Sequence, residues 1–243
     1  MKPHDVLPNY YGAPSERRPF VAQLFDEGAR HYERVNRWMS FGTGADFRRE
    51  ALERGGLKPG MRVLDVATGT GVVARGAREV VGPSGSVVGL DPSAGMLHEA
   101  GRLASLPLVR GFAESLPFAD RSFDFLSMGY ALRHVADLPT TFAEYRRVLR
   151  PQSRLVLLEI VRPPNPVLHA FMRFYLRRLI PWLTSVRSRD KGVRTMMEYF
   201  WDTIEACVPP ETILRALRDV GFAEVKQVVE FGCLAEYQAQ RPE

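Results

Sequence analysis

Two short stretches hold residues whose chemistry can be read directly. In Val63-Leu-Asp-Val-Ala-Thr-Gly-Thr-Gly71 the glycines Gly69 and Gly71 let backbone approach a ligand closely. The run nevertheless fits neither the G-x-G-x-x-G dinucleotide loop nor the G-x-x-x-x-G-K-[ST] triphosphate loop. Asp65 sits where a carboxylate repels phosphate but orients an ammonium group, directly or through water. Asp91 ends the next apolar run, where acids accept hydrogen bonds from the two hydroxyls of an adenosine ribose; a nicotinamide-dependent enzyme carries the same acid. A glycine loop without phosphate chemistry, one acid for an ammonium and one for a ribose together suit S-adenosylmethionine. The plain structural alternative is two glycines that turn the chain and an aspartate that caps a helix.

These residues need a strand, a loop and a helix to position them, repeated in order. The spacing predicts a strand over Arg62–Ala67, a helix over Val72–Val81, a strand over Ser86–Asp91 and a helix over Ser93–Ala104 with Ser93 as its N-cap. Strands follow at Leu108–Gly111, Phe123–Met128 and Arg154–Ile160, with a helix over Thr140–Leu149 ended by Pro151. Such alternation implies a doubly wound α/β fold, a mostly parallel, seven-stranded Rossmann-like sheet. Before it, helical periodicity over Phe20–Met39 and Asp46–Arg54 predicts an N-terminal helical cap (1–56), ahead of a core at 57–162. After it, Pro163-Pro-Asn-Pro166 introduces an inserted helical lid (163–208) with helices at Val167–Ile180 and Thr195–Ala206 and a basic loop to Arg194 between them. A helix at Glu211–Val220 and closing strands at Glu224–Phe231 and Cys233–Gln238 complete one domain (209–243).

With 45% hydrophobic and 25% charged residues, the 243-residue chain has an ordinary globular composition and enough length to bury a full core. Cys207 and Cys233 lack the C-x-x-C spacing of a metal or redox site, so no metal is expected and a reducing, cytoplasmic setting is. Neither a signal peptide nor a spanning apolar run is evident. A net charge of +5 is compatible with nucleic acid, an anionic membrane surface or an anionic substrate. Nucleic acid is disfavoured because Ser127–Tyr130 is no Asn-Pro-Pro-Tyr-type motif and no basic stripe with interleaved aromatics occurs.

Further motifs narrow the reading. Asp91-Pro-Ser-Ala-Gly-Met-Leu97, Gly111-Phe-Ala-Glu-Ser-Leu-Pro-Phe118 and Phe123-Asp124 together resemble class I methyltransferases. Phe25-Asp-Glu-Gly-Ala-Arg-His-Tyr-Glu-Arg-Val-Asn-Arg-Trp-Met-Ser-Phe-Gly42 resembles the N-terminal signature of the UbiE-like ubiquinone and menaquinone C-methyltransferases. Gly129-Tyr-Ala-Leu-Arg-His134 and the pair Arg147-Val-Leu-Arg-Pro151 and Leu158-Glu-Ile-Val-Arg-Pro163 extend the similarity from Val21 to about Tyr237. The resemblance implies that Thr70, Asp91, Ala113 and the surroundings of Gly129 line an S-adenosylmethionine site, and that Tyr32, Arg133 and His134 face an aromatic or quinol substrate, with or without an isoprenoid tail.

On that reading Tyr32 bonds a ring oxygen, Arg133 stabilises a phenolate and His134 accepts a proton. Structurally, Arg133 would instead pair with an acid and His134 would cap the helix beginning near Asp137. The sequence departs from the family pattern in three places. Phe112 stands where an adenine-binding Asp or Asn is usual, Val72 where an Asp follows the glycine loop, and His134 where an Asn follows Leu-Arg. The departures keep two other readings open: O- or N-methylation of an aromatic natural product, and a non-catalytic, cofactor-binding partner in a quinone-synthesis assembly. The lid's Phe171, Met172, Phe174, Tyr175, Leu176, Leu179, Ile180 and Trp182 would cover a tail or face the core, and its arginines would face water or lipid phosphates. Peripheral membrane contact and a homodimer are compatible with this composition.

Overall fold

The strands form because Val, Leu and Ile follow one another with little polar interruption, as they must when helices cover both faces of a parallel sheet. The computed structural model describes residues 1–39, 44–103, 105–180, 182 and 191–243. The signature's final Ser40–Gly42, Ala104 and most of the basic loop lie outside the described residues.

Strands β1 (Arg62–Val66), β2 (Ser86–Asp91), β3 (Leu108–Arg110), β4 (Phe123–Gly129), β5 (Leu149–Ile160), β6 (Ala223–Glu230) and β7 (Leu234–Gln240) form one sheet in the order β3-β2-β1-β4-β5-β7-β6. All pairs are parallel except β5–β7 and β6–β7. Successive strand residues enter opposite core layers. Val63, Phe125, Val156 and Leu158 pack with Ala51, Leu52 and Val73, from α2 (Gly44–Arg54) and α3 (Val72–Val81). Leu64, Leu126, Leu155 and Leu157 pack with Phe142, Ile213 and Leu217, from α5 (Leu138–Val148) and α8 (Pro210–Asp219). The strand order reverses between β1 and β4, which opens a crevice at their carboxyl ends.

The N-terminal helix α1 (Arg17–Met39) is tied down over this crevice by two polar anchors. Asp26 accepts from the hydroxyl of Ser93 and from Gly95 N, at the start of α4 (Ala94–Leu103). Ser93 itself caps α4 by accepting from Met96 N at 3.0 Å. Glu33 accepts from Thr70 Oγ1 at 2.6 Å and from Arg75 at 2.7 Å.

Two expected boundaries move. Helix α5 begins earlier, at Leu138, because Asp137 caps it by accepting from Thr140 N at 3.0 Å. It ends before Pro151, which lies inside β5 where the pairing register with β4 shifts and Gln152 takes a φ of 64°. A bulge is one of the few places where a sheet tolerates proline. The lid helix is not uniform either: α6 (Pro166–Phe174) passes into a π-helical turn at Tyr175–Leu179. This pair packs on α7 (Lys191–Ala206) through Met172, Tyr175, Leu176 and Ile180 against Met197, Phe200, Trp201 and Ile204. The lid's apolar stripe is therefore split, because Phe171 and Phe174 turn outward.

Candidate active site

At the carboxyl end of β1 the backbone turns sharply: Ala67, Gly69 and Gly71 hold φ values of 53°, 57° and 81°. A non-glycine residue held there costs about 1 kcal/mol or more, a strain that concentrates at functional sites. Tyr130, after β4, sits at a φ of 60°, and Ala67 and Tyr130 both line one cavity beneath α1. The cavity has a volume of about 110 Å³ and opens to solvent, with a lining that is mainly apolar. Of the predicted site residues, Gly69, Asp91, Phe112, Ala113, Gly129, Tyr32 and His134 line it. Asp65, Thr70, Gly71 and Arg133 stand behind that wall.

On the glycine-loop side both carboxylate oxygens of Asp65 and of Asp91 are engaged. Asp91 accepts from Gly69 N at 2.8 Å and from Ser93 N at 2.9 Å, leaving further lone pairs for hydroxyl donors. Asp65 is fully buried, and its oxygens accept from Thr68 Oγ1 at 2.6 Å and Ser127 Oγ at 2.7 Å. Instead of meeting an ammonium directly, it ties the glycine loop to β4. Burial pushes both carboxyls up to about 6, Asp65 with the neighbouring Asp91 charge as a further upward push. A Cβ built on Gly69 would meet nothing within 4 Å, so its backbone is open to the cavity. Phe112, 43% exposed, lines the cavity with the Arg18 guanidinium 5.2 Å from its ring centroid.

The opposite side is assembled from the chain's N-terminus, α1, the 3-10 turn Leu132–His134 and α7. Arg133 is fully buried and forms an ion pair with Glu159 at the end of β5. Its Nε donates to Thr203 Oγ1 at 3.1 Å, its guanidinium lies 4.1 Å from the Phe200 ring centroid, and Nη2 has no partner. The pairing thus follows the structural alternative, and the expected direct contact with substrate is not what the geometry offers. Glu159 remains raised by burial despite the arginine. Arg17, 5% exposed, donates to His4 Nε2 at 2.8 Å and to the Arg133 carbonyl, while its Nε is unpartnered.

His134 does not cap α5, since Asp137 does. Its ring stacks on Tyr199 at 5.5 Å and meets Phe25 edge-on at 5.4 Å, and neither nitrogen has a hydrogen-bond partner. Burial, together with Arg133, Arg17 and His4, holds it well below 6.5 and therefore neutral. Tyr32 lines the same wall, with its ring 6.0 Å from Phe25. Among the described residues no cluster of His, Cys, Asp or Glu could hold a metal ion. Sequence reasoning overlooked Asp26, Glu33, Arg17 and Tyr199, whose roles depend on contacts between distant segments. Only Glu159 had a local signal, as the acid ending a strand.

A carboxylate with spare lone pairs, an open glycine backbone and apolar walls at a switch crevice fit a ribose and an uncharged base, without the donors that a polyphosphate needs. Fold and site together define a class I S-adenosylmethionine-dependent methyltransferase. Residues 13–240 match the ubiE/COQ5 methyltransferase family, and the chain belongs to it. A demethylmenaquinone methyltransferase of Symbiobacterium thermophilum is 34% identical over 92% of this chain and 93% of its own length. The ubiquinone/menaquinone biosynthesis C-methyltransferase UbiE of Hahella chejuensis is 32% identical over 87% of each. A 2-phytyl-1,4-naphtoquinone methyltransferase of Synechococcus elongatus is 40% identical over 66% of this chain and 72% of that protein.

Solved structures share the fold at lower identity. A SAM-dependent methyltransferase from Aquifex aeolicus aligns with a TM-score of 0.59 and 20% identity, covering 95% of this chain and 99% of that one. The [4+2]-cyclase SpnF aligns at 0.64 and 17%, covering 91% and 95%. A cyclase on the same fold means that the reaction must be argued from the site.

Proposed function

We propose that this methyltransferase adds a methyl group to a ring carbon of a demethylmenaquinol-type quinol in the cytoplasm. The observation that carries the reading is His134, a neutral imidazole with both nitrogens unpartnered in the wall of the cavity that also holds Asp91. The names of the relatives support the same substrate class.

When bound, S-adenosylmethionine supplies an electrophilic methyl group. Asp91 accepts the ribose hydroxyls, and Asp65 keeps the glycine loop in place through Thr68 and Ser127. Apolar residues of the wall, among them Val21, Phe25, Met128 and Val135, exclude water. His134 bonds the ring oxygen of the acceptor through one imidazole nitrogen and holds it in place as the ring carbon attacks. The methylated ring carbon then gives its hydrogen as a proton to solvent at the cavity mouth, restoring the aromatic ring, so that one proton leaves for each methyl group gained. Two buried guanidinium groups, Arg17 and Arg133, stand against the single carboxylate of Glu159, and the surplus positive charge favours the phenolate form of the acceptor. Arg133 acts here as a positioning residue: it holds the turn that carries His134.

The test is to incubate the enzyme with methyl-labelled cofactor and a short-tailed demethylmenaquinol and to locate the label by NMR. A label on a ring carbon supports the reading; a label on oxygen assigns the enzyme to phenol O-methylation. His134→Ala is expected to lower kcat by about 100-fold while cofactor affinity, read by calorimetry, stays unchanged. An unchanged kcat removes His134 from the mechanism.

A further inference from the structure

The lid helix is apolar on two sides, and among the described residues only one of them packs against protein. Met172, Tyr175, Leu176 and Ile180 pack on α7, but Val167, Phe171 and Phe174 are 76%, 54% and 56% exposed. At i, i+4 and i+7 these three share one helix face. Trp182 beyond them is also exposed, and the tip of the β6–β7 hairpin adds Phe231 at 77%. The hairpin tip abuts the helix start, because a Cβ on Gly232 would meet Leu168 Cδ2 at 3.1 Å. Contiguous exposed aromatic surface of this kind marks an interaction site.

Charge tells what kind of site this is. Between Glu159 and Asp190 the sequence has six arginines, Arg162, Arg173, Arg177, Arg178, Arg187 and Arg189, and no acid. Arg177 reaches Asp202 at 3.9 Å, and Arg173 and Arg178 stand exposed beside the aromatic face. No helix among the described residues is long and apolar enough to cross a membrane. Aromatic side chains flanked by arginines on a short amphipathic helix match the boundary layer of a bilayer, where rings enter the headgroup region and guanidinium groups meet phosphates.

We propose that the outer face of α6, with the β6–β7 tip, docks this enzyme on an anionic phospholipid surface. The face covers a lid whose inner side contacts Phe200, the residue stacked on Arg133, so docking sets the bilayer one helix away from the acceptor side of the cavity. The inference does not depend on which acceptor is methylated.

The full chain is sedimented with vesicles of phosphatidylcholine alone and of phosphatidylcholine mixed with phosphatidylglycerol, with neither cofactor nor acceptor present. Strong binding to the mixed vesicles alone, weakened by salt, is expected. Phe171→Ser with Phe174→Ser should weaken it by at least about tenfold, and Arg173→Gln with Arg178→Gln by about fivefold per arginine. Both pairs are exposed, so melting temperature and methyl transfer to a short-tailed acceptor should be unchanged. Absence of binding, equal binding to both vesicles or binding indifferent to these substitutions would overturn the proposal. A concentration-dependent dimer abolished by Phe171→Ser would also overturn it, assigning the face to a second copy.

Discussion

The two sides of the cavity are built on opposite principles. On the glycine-loop side each carboxylate oxygen of Asp65 and Asp91 already accepts a protein hydrogen bond, from partners a few residues away or on the neighbouring strand. On the acceptor side Arg17, Arg133 and His134 each keep buried nitrogens without a partner. The first is preorganised before any ligand arrives. The second concentrates positive charge and unmet hydrogen-bonding capacity, which favours an anionic or hydroxyl-bearing ligand.

The comparison is most severely tested at Arg133. Replacing it with alanine strands Glu159 as a buried, unpaired carboxylate, an expected loss of about 3–5 kcal/mol in stability by denaturant titration. Arg133→Lys should recover part of that. A stable Arg133→Ala protein would mean that the acceptor side is not held by this ion pair.

At the loop side the expected effect falls on binding instead. Asp91→Ala should weaken cofactor affinity by about 100-fold in calorimetry while leaving the fold intact, since two hydrogen bonds to a charged group are lost. Retained affinity would refute the ribose assignment. Acid should act in the same direction. Asp65 and Asp91 titrate near 6 in the folded protein, above the usual 3.8. As pH falls through 6 their protonation favours the apo fold, but the Asp91 carboxylate is neutralised, and affinity drops by up to about tenfold per unit. The stabilising contribution is complete only below the unfolded value. If stability from these groups instead falls across that window, the burial argument fails.

The smallest effect is expected where α1 meets the loop. Glu33→Gln removes the charge that holds Thr70 and Arg75, but the pair is partly exposed, so KM for the cofactor should rise no more than about threefold. A larger change would show that α1 is a moving lid and not a fixed cap.

How far the site was legible depends on how its parts are spaced. The strand-loop-helix carrying Asp65, Gly69 and Asp91 follows from local periodicity, and all three stand where the sheet order predicts. The π-helical turn, the bulge at Gln152 and the split of the lid stripe left no readable periodicity, because each answers to a neighbour distant in sequence. Phe112 is legible in the sequence as a departure from the family pattern, whereas its pairing with Arg18 from α1 depends on the packing of a distant helix. Arg133 and His134 are adjacent in sequence, and that adjacency conceals that one points to Glu159 and the other into the cavity.

By itself the sequence determined the parallel half of the sheet, the switch crevice and the two acids beneath the glycine loop. Short-range patterns suffice when strands must be apolar on both faces and ligand backbone contacts require glycine. Only the tertiary structure decided the acceptor side. There His4, Arg17, Arg133, Glu159 and Tyr199 converge from five separate segments, and burial, which sets their charges and hydrogen-bond debts, is a property of the packed fold and not of any segment alone.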